Sequence, residues 1–181
     1  MSGKKVVIIS SSFRKNGNSD LLCQQFAKGA REANHKVIEI SLAGKTINPC
    51  YGCGVCQKND TGCFQKDDVR AILDEIQDGD VLVFGTPIYF YGISGQLKTF
   101  LDRTYAAYRH WQHLDVYALV SFAGDEAKYG DLVQESFEKY VDCLNTNVVL
   151  KQVILAYDCM NKGEVKTKPA YLQAYEAGKE C

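Results

Sequence analysis

The sequence has few of the features that divide a chain into parts or place it in a membrane. Its 181 residues include only three prolines, and no internal repeat or low-complexity segment marks a linker. The apolar run at residues 6–9 is too short for a signal-peptide core or a membrane span. We therefore expect a single domain over residues 1–181, located in the cytoplasm and outside any membrane.

An excess of charge of either sign is also absent. The chain has 21 basic and 22 acidic residues, a formal net charge of -1 and no long basic run. Since nucleic-acid and membrane-surface binding depends on basic patches, we expect neither partner. No Ser/His/Asp order and no pair of catalytic carboxylates stands out, so we identify no catalytic side chain. The expected partners are small molecules or proteins.

Short apolar runs alternate along the chain with segments of helical periodicity. The runs, rich in β-branched residues, cover residues 6–10, 37–40, 81–85, 116–122 and 148–155. Apolar residues at helical spacing separate them, and a last helix is predicted from Lys168-Pro169 to about Gly178. This alternation predicts an α/β fold with a five-stranded parallel sheet and helices on both faces. In such folds the ligand lies beyond the carboxyl ends of the strands.

The loop after the first predicted strand reads SSSFRKNGNSD and leads directly into a helix. Unpaired N–H groups at a helix N-terminus attract anions, so Ser12, Arg14, Asn18 and Ser19 are candidate phosphate ligands. The loop contains neither GxGxxG nor GKS/GKT, which favours a mononucleotide over a dinucleotide or a magnesium-bound triphosphate. The alternative is an ordinary polar turn with Asn18 or Ser19 as the helix N-cap.

The loop after the third predicted strand reads GTPIYFYGISGQLK and carries three consecutive aromatic residues. Tyr89, Phe90 and Tyr91 could wall a planar ring, while backbone groups hydrogen-bond its polar edge. The backbone groups proposed for that edge belong to Pro87, Ile88, Gly92 and Ser94. The alternative is that one or more of the aromatics caps the core and that Ser94 is only a helix N-cap.

Four of the eight cysteines lie in the segment CYGCGVCQKNDTGC at residues 50–63. Cys50, Cys53, Cys56 and Cys63 have the spacing CxxCxxCx6C, and glycines permit a tight backbone around them. Three closely spaced thiolates with a fourth nearby favour a cubane iron–sulfur cluster over zinc, which prefers two separated CxxC pairs. A redox-active thiol pair and unliganded, buried cysteines stay open as alternatives.

The motifs SSFRKNGNS and TPIYFYGISGQLKTFLDR, with the cysteine loop ending in KDD, resemble the flavodoxin-fold NADPH-dependent FMN reductase superfamily. The resemblance implies a flavodoxin-like, doubly wound sheet of strand order 2-1-3-4-5. It also implies that the first loop holds the FMN phosphate and the later loops hold the isoalloxazine ring. The implied FMN contacts are Ser12, Arg14, Asn18 and Ser19, then Pro87, Ile88, Tyr89, Phe90 and Ser94, and in a third loop Ser121 and Gly124.

The cysteine spacing resembles a subgroup of that superfamily, the iron–sulfur flavoproteins, which hold a [4Fe-4S] cluster near FMN. The superfamily resemblance implies electron transfer from NAD(P)H through FMN to a quinone, a nitroaromatic compound or a flavin. The subgroup implies an electron carrier whose cluster receives electrons from a ferredoxin-like protein. A non-catalytic flavin-binding sensor is a third hypothesis, and the family further implies a homodimer or homotetramer.

Two acidic motifs have structural interpretations. We interpret Asp102-Arg103, which matches a family motif at the end of a helix, as a structural or dimer-forming surface ion pair. Asp67-Asp68 is predicted to cap the second long helix, because carboxylates favour a helix N-terminus.

Overall fold

The structure is a computed structural model that describes residues 3–59 and 62–181. The strands are β1 (Lys5–Ser10), β2 (Lys36–Ser41), β3 (Val81–Tyr89), β4 (Gly92–Ile93), β5 (Leu114–Ser121) and β6 (Val148–Ala156). The α-helices are α1 (Asn18–Glu32), α2 (Val55–Asn59), α3 (Val69–Gln77), α4 (Gly95–Arg103), α5 (Asp131–Asp142) and α6 (Pro169–Glu180). No helix within these two ranges is long and apolar enough to cross a membrane.

Five strands form one parallel sheet in the order β2-β1-β3-β5-β6. This order confirms the predicted flavodoxin-like arrangement, since β5 and β6 are the fourth and fifth long strands. The sequence does not predict the two-residue strand β4, which pairs antiparallel with the end of β3. It also does not predict α2, a helix of five residues that lies inside the cysteine loop.

Apolar side chains alternate between the two faces of the sheet. In β1, Val6 and Ile8 pack against α1 and α6, whereas Val7 and Ile9 pack in the core beneath α3, α4 and α5. Burial on both faces explains why the central strands read as continuous apolar runs instead of alternating with polar residues. The edge strand β2 is only partly buried.

Helices α1 and α6 approach each other closely through two glycines. A Cβ atom on Gly29 would lie 2.0 Å from the carbonyl oxygen of Tyr175, and one on Gly178 would lie 2.1 Å from that of Phe26. Neither position can therefore hold a side chain without separating the helices. This contact packs α1 and α6 together on one face of the sheet.

Candidate functional site

The loops that follow β1 and β3 are joined by buried hydrogen bonds. The backbone N–H of Ser11 donates to the carbonyl oxygen of Gly85 at 2.8 Å, and its hydroxyl donates to the same oxygen at 2.9 Å. The hydroxyl of Ser94 donates to that of Ser11 at 2.8 Å, and the N–H of Ser94 donates to Thr86 Oγ1 at 3.1 Å. This network fixes the two loops against each other at the carboxyl edge of the sheet.

Ser94 also forms the N-cap of α4. Its hydroxyl accepts a hydrogen bond from the N–H of Leu97 at 3.3 Å, and the residue is only 1% exposed. The N-cap interpretation of Ser94 is therefore confirmed. Its N–H and hydroxyl both bond within the protein, so Ser94 fixes the position of the loop after β3. The sequence patterns gave no sign of the parts played by Ser11 and Thr86.

The loop before α1 has the geometry of an anion site. The N–H of Gly17 donates to the carbonyl oxygen of Arg14 at 2.7 Å, and the Ser12 hydroxyl donates to the same oxygen at 3.1 Å. Gly17 is the N-cap of α1, and no side chain caps the helix. The interpretation of Asn18 or Ser19 as N-cap is therefore wrong. The first turn of α1 therefore has no side-chain cap and lies beside the exposed Arg14, an arrangement that suits an anion.

Asp20 supports this loop from within the first turn of α1. Its carboxylate accepts hydrogen bonds from the N–H of Asn16 at 2.8 Å and from the Ser10 hydroxyl at 3.3 Å. Asn16 has a positive φ of 57°, a backbone conformation that is uncommon for residues other than glycine. Asp20 therefore holds the turn in its tight conformation.

Asn18 connects the start of α1 to the loop after β6. Its amide nitrogen donates to the carbonyl oxygens of Cys159 at 3.1 Å and Asn161 at 2.9 Å. Its amide oxygen accepts from the N–H groups of Gly163 at 2.9 Å and Val165 at 3.3 Å. The side-chain amide is thus fully hydrogen-bonded within the protein, and the backbone N–H is the group that Asn18 can offer a phosphate. The neighbouring Ser19 is buried, at 1% exposure.

The aromatic segment after β3 forms a strained hairpin. Ile88 pairs with Ile93 and Tyr89 with Gly92, so Phe90 and Tyr91 form a two-residue turn with φ of 49° and 62°. Positive φ at both positions is typical of a type I′ turn, which favours Asn-Gly. Two bulky residues there cost about 1–3 kcal/mol each, and such strain is concentrated at functional sites.

All three aromatic side chains of the hairpin are exposed. Tyr89 is 54% exposed, Tyr91 58%, and Phe90 is fully exposed. The alternative in which one of them caps the core is therefore wrong. Pro87 and Ile88 lie on the strand that leads to the hairpin, where Pro87 is in register with Ser121 of β5.

The loop after β5 comes into contact with this hairpin. The rings of Tyr91 and Tyr129 lie 6.2 Å apart in an edge-to-face arrangement. Tyr129 in turn covers Gly124, where a Cβ atom would lie 2.6 Å from the tyrosine ring. The carbonyl oxygen of Gly124 accepts a hydrogen bond from the N–H of Asp158 at 2.6 Å. The three predicted loops therefore meet, and Tyr129 is a neighbour that the sequence patterns did not indicate.

This edge of the sheet fits FMN in the chemistry of its groups. An uncapped helix N-terminus with Ser12 and Arg14 suits a phosphate, and exposed aromatic rings next to a buried hydroxyl network suit a planar ring. The residues predicted to contact the cofactor thus lie in three adjoining loops and at the ends of the strands and the helix next to them. Their individual contacts stay predictions.

The described part of the cysteine loop, residues 50–59 and 62–63, is not assembled around a metal. Cys50 and Cys53 are exposed, Cys56 and Cys63 are half-buried, and all four are free thiols. Within residues 3–59 and 62–181, no three metal-binding side chains are close enough to hold an ion. The tight backbone predicted for this loop is present, since Gly52, Gly54 and Gly62 have φ of 65°, 67° and 77°.

Beside the cysteine loop lies a buried ion pair that the sequence interpretation missed. Arg103 Nη1 and Nη2 donate to the two oxygens of Asp67 at 2.6 and 3.1 Å, and both side chains are almost fully buried. The expectation of a surface ion pair is therefore wrong for Arg103. Asp102 does form a surface ion pair, with the exposed Lys98 at 2.6 Å. The structural role expected of the motif thus falls mainly on its arginine.

Asp67 combines this ion pair with bonds to the backbone. It accepts from the N–H of Asn48 at 3.0 Å and from that of Val69, the first residue of α3, at 3.2 Å. Burial opposes ionisation of Asp67, but the bonds from Arg103 and from these N–H groups outweigh it and lower its pKa. Asp68 is the N-cap residue of α3 but makes no side-chain cap bond; it accepts from the Thr46 N–H instead. The predicted cap is therefore provided by Asp67.

A family profile described as NADPH-dependent FMN reductase matches residues 4–179, so the chain belongs to this family. An iron–sulfur flavoprotein of Methanocaldococcus jannaschii is 41% identical over 100 residues, which are 55% of this chain and 51% of that protein. A putative NAD(P)H-dependent FMN-containing oxidoreductase of Bacillus subtilis is 35% identical over 101 residues, again 55% and 51% of the two chains. The chain thus spans about half the length of these curated relatives.

Solved structures share the fold at low sequence identity. An NAD(P)H:quinone oxidoreductase from Methanothermobacter marburgensis superposes with a TM-score of 0.78 at 17% identity, covering 98% of this chain and 96% of that one. The azoreductase AzrA superposes with a TM-score of 0.74 at 14% identity, covering 98% and 100%. These likenesses confirm the flavodoxin-like architecture.

Proposed function

We propose that this member of the NADPH-dependent FMN reductase family is an FMN-dependent oxidoreductase that takes electrons from NAD(P)H. The observation that carries the proposal is the junction of three loops, with an uncapped helix N-terminus on one side and a strained aromatic hairpin on the other. Bound FMN would supply the redox chemistry, accepting a hydride and passing electrons to a quinone, a nitroaromatic compound or a flavin.

The chain's own residues would bind and orient the cofactor. Ser12, Arg14 and the N–H groups at Asn18 and Ser19 would hold the phosphate. The ring would lie against Pro87, Ile88, Tyr89 and Phe90, with the backbone near Ser121 and Gly124 on its far side. Ser94 would act through the buried network that positions the loop after β3. No side chain is assigned as a catalytic acid or base.

Replacement of Arg14 tests the phosphate site. Arg14→Ala should weaken FMN binding by about 1.5–3 kcal/mol, because it removes one charge-assisted hydrogen bond to the phosphate. Lys15→Ala is the matched control, since Lys15 is the adjacent exposed cation. Equal FMN affinity in the Arg14 variant and the wild type would contradict the assignment.

Reduction by nicotinamides tests the activity. Under anaerobic stopped-flow conditions, NADPH or NADH should bleach the flavin absorption of the FMN-loaded protein, and the colour should return when a quinone is added. A flavin that binds but is bleached by neither nicotinamide would refute the proposed activity.

A second function is proposed from the cysteine loop. Buried Arg103 lines the same cavity as Cys63 and carries a positive charge, and the three glycines with positive φ permit a tight backbone around the thiols. These features fit a [4Fe-4S] cluster, which would be held by Cys50, Cys53, Cys56 and Cys63 and would transfer single electrons between a ferredoxin-like donor and FMN. A metal analysis would distinguish this cluster from a zinc site and from metal-free redox thiols.

Iron and acid-labile sulfide in anaerobically purified protein test this second function. Four irons and four sulfides per chain are expected, with a broad absorption shoulder beneath the flavin bands. A stoichiometry well below four irons per chain would refute the cluster.

The setting of the protein belongs to the same proposal. A cytoplasmic location is proposed because clustered free thiols suit a reducing compartment. A homodimer or homotetramer is proposed because three exposed aromatic side chains lie together on the hairpin. Light scattering of the FMN-loaded protein decides the oligomer, and a monomeric mass would contradict it.

A further inference from the structure

The loop after β6, residues 157–165, is held against the first turn of α1 by the side chain of Asn18. An amide group has two N–H donors and an oxygen that can accept two hydrogen bonds. All four possibilities are used by this loop. The partners are the carbonyl oxygens of Cys159 and Asn161 and the N–H groups of Gly163 and Val165. Contact with a phosphate would therefore cost the Asn18 side chain at least one of these bonds.

The same loop is also attached to the loop after β5, where the flavin ring is proposed to lie. The N–H of Asp158 donates to the carbonyl oxygen of Gly124 at 2.6 Å, and the N–H of Cys159 donates to that of Phe122 at 2.9 Å. The rings of Phe122 and Tyr157 lie 6.5 Å apart. The loop after β6 thus contacts both the phosphate turn and a ring-binding loop, although the sequence motifs gave it no part in the site.

Bonds within the loop after β6 hold its own shape. The N–H and the side-chain amide of Asn161 donate to the carboxylate of Glu164 at 2.7 and 2.6 Å. Asp158, at the other end, pairs with Lys168 at 2.5 Å. A loop that is closed by its own bonds can fix the residues that it contacts.

We propose that the loop after β6 is a fourth part of the FMN site and that Asn18 is its positioning residue, which directs the first N–H groups of α1 towards the phosphate. This inference rests on the proposed function, because it needs the FMN phosphate at the start of α1. The side chain of Asn18 stays bonded to the loop, and its backbone N–H faces the phosphate. Its four bonds limit the freedom of the turn, so less entropy is lost when the phosphate binds.

A comparison of two flavins tests the positioning of the phosphate. Riboflavin lacks the phosphate, so the ratio of its dissociation constant to that of FMN reports on the phosphate site alone. Asn18→Ala should lower this ratio about tenfold, because the turn loses the bonds that order it. Titrations followed by quenching of flavin fluorescence measure both constants.

Gln25→Ala is the matched control for Asn18→Ala. Gln25 is a second half-buried amide on α1, and it donates to the hydroxyl of Tyr171 on α6 at 2.8 Å. Its loss should leave the ratio within about twofold of the wild-type value, because it lies away from the start of the helix. An unchanged ratio in Asn18→Ala, or equal losses in the two variants, would overturn this inference alone. Wild-type protein that binds FMN no more tightly than riboflavin would refute the phosphate site and this inference together.

Amide hydrogen exchange in the wild type, followed by NMR, tests the inference without a substitution and decides it if Asn18→Ala does not fold. The N–H groups of Gly163 and Val165 donate to the Asn18 side chain, so their exchange reports whether those bonds persist. FMN should slow both at least about fivefold, whereas riboflavin should change them less than about twofold. Faster exchange with FMN would show that the side chain leaves the loop for the phosphate, and unchanged exchange would show that the loop is not coupled to the site. Either result overturns the inference.

Discussion

The three loops after β1, β3 and β5 and the cysteine loop are built in opposite ways. The loops after β1 and β3 are joined by buried hydrogen bonds between Ser11, Thr86, Ser94 and Gly85, and the loop after β5 contacts them through the rings of Tyr91 and Tyr129. None of the described residues of the cysteine loop is buried. Its Gln57 side chain bonds the carbonyl of Tyr105, and Arg103 and Asp67 both bond Asn48, two residues before the loop. The first region is held by hydrogen bonds within its own loops, whereas the second depends on contacts with its neighbours.

The largest expected effect comes from the ion pair that holds the cysteine loop. Asp67→Asn should lower the free energy of unfolding by about 3–5 kcal/mol, because it leaves the charge of Arg103 buried without a counter-ion. Asp102→Asn is the matched control, and loss of its exposed pair with Lys98 should cost about 1 kcal/mol or less. Urea unfolding measures both. Similar values for the two variants would show that the cysteine loop does not depend on this pair.

A smaller loss is expected in the loops after β1 and β3. Ser94→Ala should cost about 1–3 kcal/mol, since it removes the N-cap of α4 and the hydrogen bond to the Ser11 hydroxyl. Thr99→Ala serves as the control, because the Thr99 hydroxyl bonds the Gly95 carbonyl on the exposed side of the same helix. A Ser94→Ala variant as stable as Thr99→Ala would mean that the buried network does not hold these loops.

The strained hairpin should respond in the opposite direction. The double variant Phe90→Asn, Tyr91→Gly should raise the free energy of unfolding by about 1–3 kcal/mol, because Asn-Gly adopts the type I′ turn without strain. The same variant should bind FMN more weakly, as expected when strain is retained for function. Phe64→Asn replaces an exposed aromatic that has no positive φ, and its stability should be nearly unchanged. If the double variant is no more stable than the wild type, the hairpin is not strained.

The sequence predicts the three loops after β1, β3 and β5 better than the cysteine loop. Apolar periodicity is local, so it locates the strands and the loops that follow them. The bond between Ser11 and Ser94 joins residues far apart in sequence, and the hairpin uses Phe90 and Tyr91 where turn statistics expect Asn-Gly. No local pattern reveals either feature.

The buried ion pair of Arg103 is a second feature that local sequence patterns do not reveal. Asp102 and Arg103 are adjacent in sequence and read as one surface pair, but they lie on different sides of α4. Arg103 is buried because it lies on the side of α4 that faces Asp67, whereas Asp102 lies on an exposed side. Which side faces Asp67 depends on tertiary packing and not on the local sequence. In the same way, the spacing of the four cysteines identifies a possible ligand motif. It does not show whether their sulfur atoms lie close together in the fold.

The smallest expected effect is the pH dependence of the ion pair. The pKa of Asp67 is lowered below its ordinary value of 3.8: burial opposes this shift, but the hydrogen bonds from Arg103 and the backbone outweigh it. The unfolded state therefore binds a proton at a higher pH than the folded state does. The stabilisation by ionised Asp67 is fully present above about pH 3.8 and is lost as the pH falls through the lower folded pKa.

This loss can be isolated by comparing the wild type with Asp67→Asn in urea between pH 7 and pH 2.5. The difference between their free energies of unfolding should be constant above about pH 5 and should then shrink on acidification, with a slope of at most about 1.4 kcal/mol per pH unit for one proton. Other carboxylates cancel in the difference, because both proteins contain them. Curves that stay parallel down to pH 2.5 would show that Asp67 is not held ionised by Arg103, and the cysteine loop would then lack the anchor that distinguishes it from the loops after β1, β3 and β5.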